Sequence, residues 1–174
     1  ITARHTARFD SQTDTIQASA VGFSGSWAFN DVDSTVKAMI GGNAMITTQD
    51  LVVEAVNTTR KDILGEDEYN VKAGSGGVFQ GNAAESESDI ANITHATIGD
   101  SASIDVSGDI YSPGDFLLRA FNDVEGYDDV KLDSGGVIVG SGATSAMRAD
   151  TNDALAAIGD GAHITTVGDV DLET

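Results

Sequence analysis

Apolar and polar residues alternate along most of the chain, which is the period-two pattern of a β-strand with one buried face. In "THATIGDSASIDVSGDI", residues 94–110, the alternation directs Ala and Ile side chains inward, while Thr97, Ser103 and Asp105 face solvent. The residues predicted to point inward are Ala96, Ile98, Ala102, Ile104 and Ile110. The abundance of Gly, Thr, Ser, Val and Ile also favours strands and turns over helices.

The same pattern occurs three times. "VKAMIGGNAMITTQDLVV" at 36–53 and "LAAIGDGAHITTVGDVDL" at 155–172 match the stretch above. Ile40, Ile98 and Ile158 recur at nearly equal spacing, and the isoleucines that follow them, Ile46, Ile104 and Ile164, keep the same spacing. The chain therefore consists of imperfect repeats of one unit.

A second match has a longer spacing. The stretch "DLVVEAVN" at 50–57 matches "DFLLRAFN" at 115–122, and this longer offset predicts a local insertion around Pro113. With this insertion, the chain divides into three repeats of about 58–60 residues each. Their approximate bounds are 1–53, 54–112 and 113–174.

Each repeat contains about three alternating segments of about twenty residues, a length that suits one coil of a parallel β-helix. The predicted fold is therefore all-β: a right-handed parallel β-helix (β-solenoid) with about 8–9 coils, in a single segment over residues 1–174. Asn57 and Asn122 occupy matching positions and are candidates for an inward asparagine ladder. Corners that need a left-handed backbone or an Asx turn are predicted at Gly99–Asp100, Gly108–Asp109, Gly159–Asp160 and Gly168–Asp169.

One recurring order, Ala-x-Ile-Gly-x-x-Ala-x-Ile followed by an Asp that comes after Gly in the second and third copies, occurs once in each repeat. Its positions are Ala38, Ile40, Ala44, Ile46 and Asp50, then Ala96, Ile98, Ala102, Ile104 and Asp109, then Ala156, Ile158, Ala162, Ile164 and Asp169. In this order the chain resembles the long repeat regions of very large bacterial surface adhesins similar to filamentous haemagglutinin.

The resemblance implies a β-solenoid and a structural or adhesive role in a long extracellular surface or filament protein. Such a segment either continues into a longer chain or stacks end to end into fibres; the first residue, Ile1, indicates a processed product or a piece of something longer. The alternative is a β-helix that binds a carbohydrate or another partner, such as a host or cell-surface glycan or protein.

The charge balance restricts the partners. There are 28 acidic and 9 basic residues, giving a formal net charge of −19, so nucleic acid and anionic membrane surfaces are expected to be repelled. The absence of cysteine excludes disulfides and thiolate metal sites. Because no apolar run approaches the roughly 18–20 residues of a membrane-spanning helix, no membrane insertion is expected.

An enzyme is the third alternative, since parallel β-helices also carry polysaccharide lyases and hydrolases, which need clustered carboxylates on one face. The basic residues are few and scattered, and Lys72 and Lys131 recur with the repeat, which indicates a structural role. His5, His95 and His163 occupy different repeat positions and predict no triad. The chain is therefore expected not to be an enzyme.

Two acidic loops are candidates for calcium binding. "LGEDEYN" at 64–70 and "VEGYDDV" at 124–130 occupy corresponding places in the repeat, and calcium takes six to eight oxygen ligands from carboxylates and carbonyls. Neither loop has EF-hand spacing, and a solvated acidic loop is the alternative. The candidate ligands are Glu66, Asp67, Glu68, Glu125, Asp128 and Asp129.

Aromatic residues are sparse but gather near the Gly-rich stretches. Phe23, Trp27, Phe29 and Phe79 lie there, and the alternation places at least one of them outward. They indicate a lateral contact or a carbohydrate platform, with burial under a loop as the alternative.

Overall fold

The chain is an all-β protein, as predicted. A computed structural model describes residues 1–62, 65 and 68–174, and these contain strands and no helix. The strands are β1 (Thr2–Phe9), β2 (Thr13–Ala18), β3 (Val21–Ile40), β4 (Met45–Thr48), β5 (Leu51–Lys61), β6 (Val71–Ile98), β7 (Ser103–Val106), β8 (Phe116–Glu125), β9 (Val130–Ile158), β10 (His163–Thr166) and β11 (Val170–Glu173).

The strands form three parallel sheets. Sheet A has the order β1-β5-β8-β11, and sheet C has the order β4-β7-β10. In sheet B, β2 and β3 follow one another along one edge of β6, and β9 pairs with the other edge. Stacked parallel sheets of this kind are consistent with a β-solenoid.

Paired residues lie a whole repeat apart. Thr2 is paired with Glu54, and Leu51 with Phe116, so each strand lies beside its counterpart in the next repeat. Coils of about twenty residues, about 8–9 in all, would pair strands that are about twenty residues apart. The observed pairing distance is a whole repeat, so this prediction is wrong. The alternation marks the strands correctly, but it does not say which strands pair, and β3, β6 and β9 are single long strands of 20, 28 and 29 residues.

The core follows the predicted alternation. Ala96, Ile98, Ala102 and Ile104 are at most 2% exposed, in a cluster formed by residues of all three sheets. The repeats stack these positions directly, as in the sheet C row of Ile46, Ile104 and Ile164. A second, smaller apolar cluster contains Ala28, Val71, Ala73 and Ala84.

Ile110 departs from the prediction, because it is 88% exposed. Leu51 is paired with Phe116, which takes the buried position expected for Ile110. The residues between β7 and β8 form the insertion around Pro113 and lift Ile110 out of the sheet. The match with the longer spacing therefore gives the correct register here.

The predicted corner at Gly108 is confirmed, since Gly108 itself has φ of 65°. The corners after the Ile-Gly pairs instead use a left-handed residue two positions after the glycine. Asn43 and Ser101 have φ of 57°, and Gly161 has φ of 68°. These residues occupy the same place in the three repeats, after the paired Ile40, Ile98 and Ile158. Only Gly or a short polar residue takes this conformation at low cost.

Candidate functional site

The predicted calcium ligands are spread over several environments. Glu66 and Asp67 lie outside the described residues. Glu68 is exposed and accepts a hydrogen bond from the Gly65 amide at 3.0 Å. Within the described residues, no group of three or more His, Cys, Asp or Glu side chains is arranged to hold a metal ion.

Two of the three candidate carboxylates of the second loop, those of Glu125 and Asp128, already pair with basic side chains, while the hydrogen bonds of Asp129 are made by its backbone. Glu125 lies 3.4 Å from Arg60 in an ion pair, and the Asp129 carbonyl accepts a hydrogen bond from the Asn70 amide at 3.0 Å. Asp128 is bound to Lys61. Calcium binding therefore stays a prediction. Its ligands would come mainly from the first loop, residues 64–70.

A buried ion pair closes the corner between sheets A and B. The Lys61 ammonium, at the end of β5, donates to Asp128 Oδ1 at 2.6 Å and to the Ser88 hydroxyl at 3.0 Å. Ser86 donates to the same Asp128 oxygen at 2.5 Å. The two charged side chains are 0% and 5% exposed, so each charge depends on the other for compensation.

This pair was not anticipated from the sequence, although a signal for it exists. The inward positions of β5 continue past Ala55 to Asn57, Thr59 and Lys61, all of them buried. Counting the alternation to the end of the strand would have placed Lys61 inside the sheets. The position of Asp128 opposite it follows only from the tertiary structure.

A polar layer separates this corner from the main apolar core. Asn57 and Asn92 are buried and share Ser34, whose hydroxyl donates to Asn92 Oδ1 at 2.7 Å. Asn122 lies opposite Asn57, but it accepts its hydrogen bond from Thr94. The prediction of an asparagine ladder is therefore wrong: Asn57 and Asn122 lie opposite each other on adjacent strands, but their side chains bond Ser34 and Thr94 of sheet B rather than each other.

Charges alternate along the outer face of sheet A. Glu54, only 7% exposed in its side chain, forms ion pairs with Arg4 of β1 and Arg119 of β8. Arg119 also lies 3.8 Å from Glu173 of β11. Four successive strands therefore carry the order Arg, Glu, Arg, Glu, which offsets part of the acidic surplus locally.

The outer face of sheet B carries exposed aromatic rings beside a flat floor. Phe23 is 73% and Trp27 65% exposed, so burial under a loop does not occur. They lie four residues apart on β3, about 13 Å along the strand. Two shallow depressions next to them have floors formed mostly by Gly25, Gly81, Ala83, Gly140 and Gly142. The one beside Trp27 is also lined by Thr144 and by the exposed Glu85, which is paired with Trp27.

The histidines lie in three separate places. His5 contacts Asn57 at 3.3 Å, His95 contacts Asp153 at 3.2 Å, and His163 contacts Thr165 at 3.3 Å. The geometry does not bring them together. On the described surface, the charged face of sheet A and the aromatic face of sheet B are the two features that could serve a function, together with the sheet edges.

No family model, curated protein or solved structure matches the chain. The described residues contain no helix long and apolar enough to cross a membrane.

Proposed function

We propose that the chain is a section of a right-handed β-solenoid with about one coil per repeat, and that it serves as a stiff, extended segment of an extracellular bacterial surface or filament protein. The observation that carries this proposal is the in-register parallel pairing of each repeat with the next in all three sheets. Hydrogen bonds then run along the long axis of the stack, and bending or stretching the rod strains all three sheets together.

The core supports the same role. Ile40, Ile98 and Ile158 lie in one row, so the apolar interior runs along the axis without interruption. Each coil alone has too little buried surface to fold, and stacking supplies the rest. A rod of this kind gains length by adding repeats, which suits a protein that projects from a cell.

The surface charge fits a rod that stays separate from its neighbours. With a formal net charge of −19, parallel rods repel each other at a distance, and nucleic acid is a poor partner. Within one rod, the charged row of sheet A places basic side chains beside acidic ones. The strands of that sheet can therefore pair despite the overall negative charge of the chain.

The test measures length against the number of copies. Fusions of two, three and four copies of residues 1–174 are compared by small-angle X-ray scattering and electron microscopy. Three strand layers per copy predict a growth of about 14 Å per copy. Growth of about 40 Å per copy would indicate coils of about twenty residues, and compact particles without linear growth would overturn the rod. An antibody against this segment should label intact source cells if the segment is extracellular.

A second function is favoured by the aromatic face of sheet B: binding of a neutral glycan chain. Exposed rings such as Phe23 and Trp27 stack on the apolar faces of sugar rings, and a floor of Gly and Ala lets a flat chain approach the sheet. The acidic surface makes an anionic glycan unsuitable. Adhesion would then use the side of the rod.

Trp27 is the only tryptophan, so its fluorescence reports directly on this face. Titration with neutral oligosaccharides should shift its emission, and Phe23→Ala should weaken binding without changing the circular dichroism spectrum. Tyr111→Ala is the control, because Tyr111 is 90% exposed on the loop between β7 and β8, which belong to the other two sheets. An unchanged emission across a panel of neutral glycans would exclude this second function.

A further inference from the structure

The depression beside Trp27 on the outer face of sheet B combines an aromatic ring with a carboxylate. It is lined by Trp27 of β3, Glu85 of β6 and Thr144 of β9, with Gly25, Ala83 and Gly142 in its floor. We propose that this depression binds a protonated amine of an amino-sugar chain, so that the glycan recognised by the aromatic face is one that carries free amino groups. The proposal rests on the glycan binding proposed above and names the chemical class of the sugar.

The lining side chains form one row across three strands. Trp27 is paired with Glu85, and Glu85 with Thr144. All three are exposed on the face of the sheet, so the site does not use a strand edge. Neighbouring strands lie about 4.8 Å apart, and the indole ring, the carboxylate and the hydroxyl group follow one another at that spacing. An amine placed over this row is therefore within reach of both a ring and a carboxylate.

The adjacent row leaves room for a ligand. Gly25 is paired with Ala83, and Ala83 with Gly142, so no side chain in this row is larger than a methyl group. A Cβ on Gly25 or on Gly142 would meet no atom within 4 Å, which means that the space above the floor is open. A flat ring can therefore lie on the floor with one edge against Trp27 and Glu85.

The Glu85 carboxylate is not compensated by a basic side chain. Two residues further along β6, Glu87 forms an ion pair with Arg148, which also lies 3.5 Å from Asp89. Within the part of the chain that the structure describes, the Glu85 side chain has neither a hydrogen bond nor an ion pair. Glu85 is therefore available to a cation from outside the chain, whereas its neighbour Glu87 is already occupied.

The Trp27 ring is likewise not covered by a cation of its own chain. Among the described residues, the cation–π contact is that of Lys131, which lies 4.8 Å from the centre of the Tyr69 ring. Tryptophan is the side chain whose ring attracts cations most strongly. The formal net charge of −19 also raises the concentration of cations at the surface. The depression therefore favours a positively charged ligand over a neutral ligand of the same shape.

A sugar chain fits this face better than a peptide does. The backbone groups of β6 pair with β3 on one side and with β9 on the other. An extended peptide gains much of its affinity by pairing with free backbone groups, which such a face does not offer. A sugar ring instead stacks on an aromatic ring and leaves its hydroxyl groups in water. Phe23, about 13 Å from Trp27 along β3, offers a second ring to the same chain.

Two matched tetrasaccharides separate the amine from the sugar. The first is made of N-acetylglucosamine and is neutral; the second is made of glucosamine and carries protonated amines at about pH 6. The emission of Trp27 is titrated with each at about 0.15 M salt, where the Debye length is about 8 Å. The glucosamine chain should bind about tenfold more tightly, which is the gain expected from an exposed cation–π contact together with an exposed ion pair.

Substitution of the carboxylate tests its part in the preference. Glu85→Gln should lower the ratio of the two affinities from about ten to about three, because the cation–π contact remains. Glu85→Asp, which keeps the charge, should retain more of the preference. Asp105→Asn is the control, since it removes the same charge from an exposed residue of sheet C and should leave the ratio at its wild-type value. A ratio that Glu85→Gln does not change, in a protein with an unchanged circular dichroism spectrum, would overturn the proposal.

The failure of the amine site and the failure of the glycan function are distinguishable. Equal affinities for the two tetrasaccharides, or no response to the glucosamine chain, would overturn the amine site. The glycan function itself fails only if the neutral glycans leave the emission unchanged as well. Tetralysine carries similar amines on a peptide and should bind more weakly than the glucosamine chain. Equal or tighter binding of tetralysine would mean that the depression takes a basic peptide, and it would overturn the assignment to a sugar.

Discussion

Lys61 and Asp128 form an ion pair of 2.6 Å inside the protein, with side chains that are 0% and 5% exposed. The pair joins the end of β5 to the loop before β9. The second carboxylate oxygen of Asp128 is buried and has no hydrogen-bond partner. Such a pair is sensitive to the loss of one member, because the remaining charge stays buried.

Lys61→Met is expected to lower the free energy of unfolding by about 3–5 kcal/mol, since it leaves the Asp128 charge without compensation. Urea denaturation followed by circular dichroism measures this change. Lys72→Met is the control, with an expected change within about 1 kcal/mol because this ion pair is partly exposed. Adding Asp128→Leu to Lys61→Met should recover most of the loss. Similar effects of the two single variants would contradict the role of the buried pair.

Gly77→Ala is expected to destabilise the protein by about 3 kcal/mol, since a Cβ at Gly77 would overlap the backbone carbonyl oxygen of Ser19. The neighbouring variant Gly76→Ala meets no atom within 4 Å and should change the stability by less than about 1 kcal/mol. Thermal melting of the two variants side by side provides the measurement. Equal melting temperatures would mean that the backbone shifts to accept the added methyl group without loss of stability.

Glu54→Gln is expected to lower the free energy of unfolding by about 1–3 kcal/mol, because it removes the carboxylate that Arg4 and Arg119 share. Asp171→Asn, at an exposed residue of the same sheet, should remain within about 0.5 kcal/mol of the wild type. Denaturant titration distinguishes the two. A neutral Glu54→Gln would show that the charged row of sheet A does not stabilise the stack.

Calcium is expected to raise the melting temperature and a chelator to reverse the change, through a gain of about 2.7 kcal/mol at a calcium concentration of about 100 times Kd. Removing the charges of Glu66 and Asp67 by Glu66→Gln and Asp67→Asn should abolish the response. The control pair, Asp10→Asn and Asp105→Asn, removes the same charge at exposed residues of the described chain. Identical melting temperatures with calcium and with chelator would refute the calcium prediction.

The register of the strands illustrates what the sequence does and does not reveal. The match of residues 50–57 with 115–122 gives the observed pairing of Leu51 with Phe116, because both strands carry the same inward residues. The equal-spacing match of Asp50 with Asp109 does not, since the Asp50 carboxylate accepts a hydrogen bond from the Asp115 amide instead. A repeat with an insertion offers two alignments, and only packing selects between them.

The site residues show the same division. The exposure of Trp27 follows from alternation along β3, since neighbouring side chains point to opposite faces. The partnership of Lys61 with Asp128 joins distant parts of the chain through a loop that has no periodicity. Local patterns therefore identify the side of the sheet on which a residue lies. The residue that it contacts depends on the path of the loops between the strands.

The sequence by itself determined the all-β fold, the three repeats and the inward set of residues such as Ile98 and Ile104, because these depend on a period of two and on local turn chemistry. The tertiary structure alone decided that a strand pairs with its counterpart a whole repeat away, and that Lys61 meets Asp128 inside the sheets. The physical reason is that every strand edge offers the same hydrogen-bonding groups, so the choice among partners is made by the combined packing of three sheets around one core.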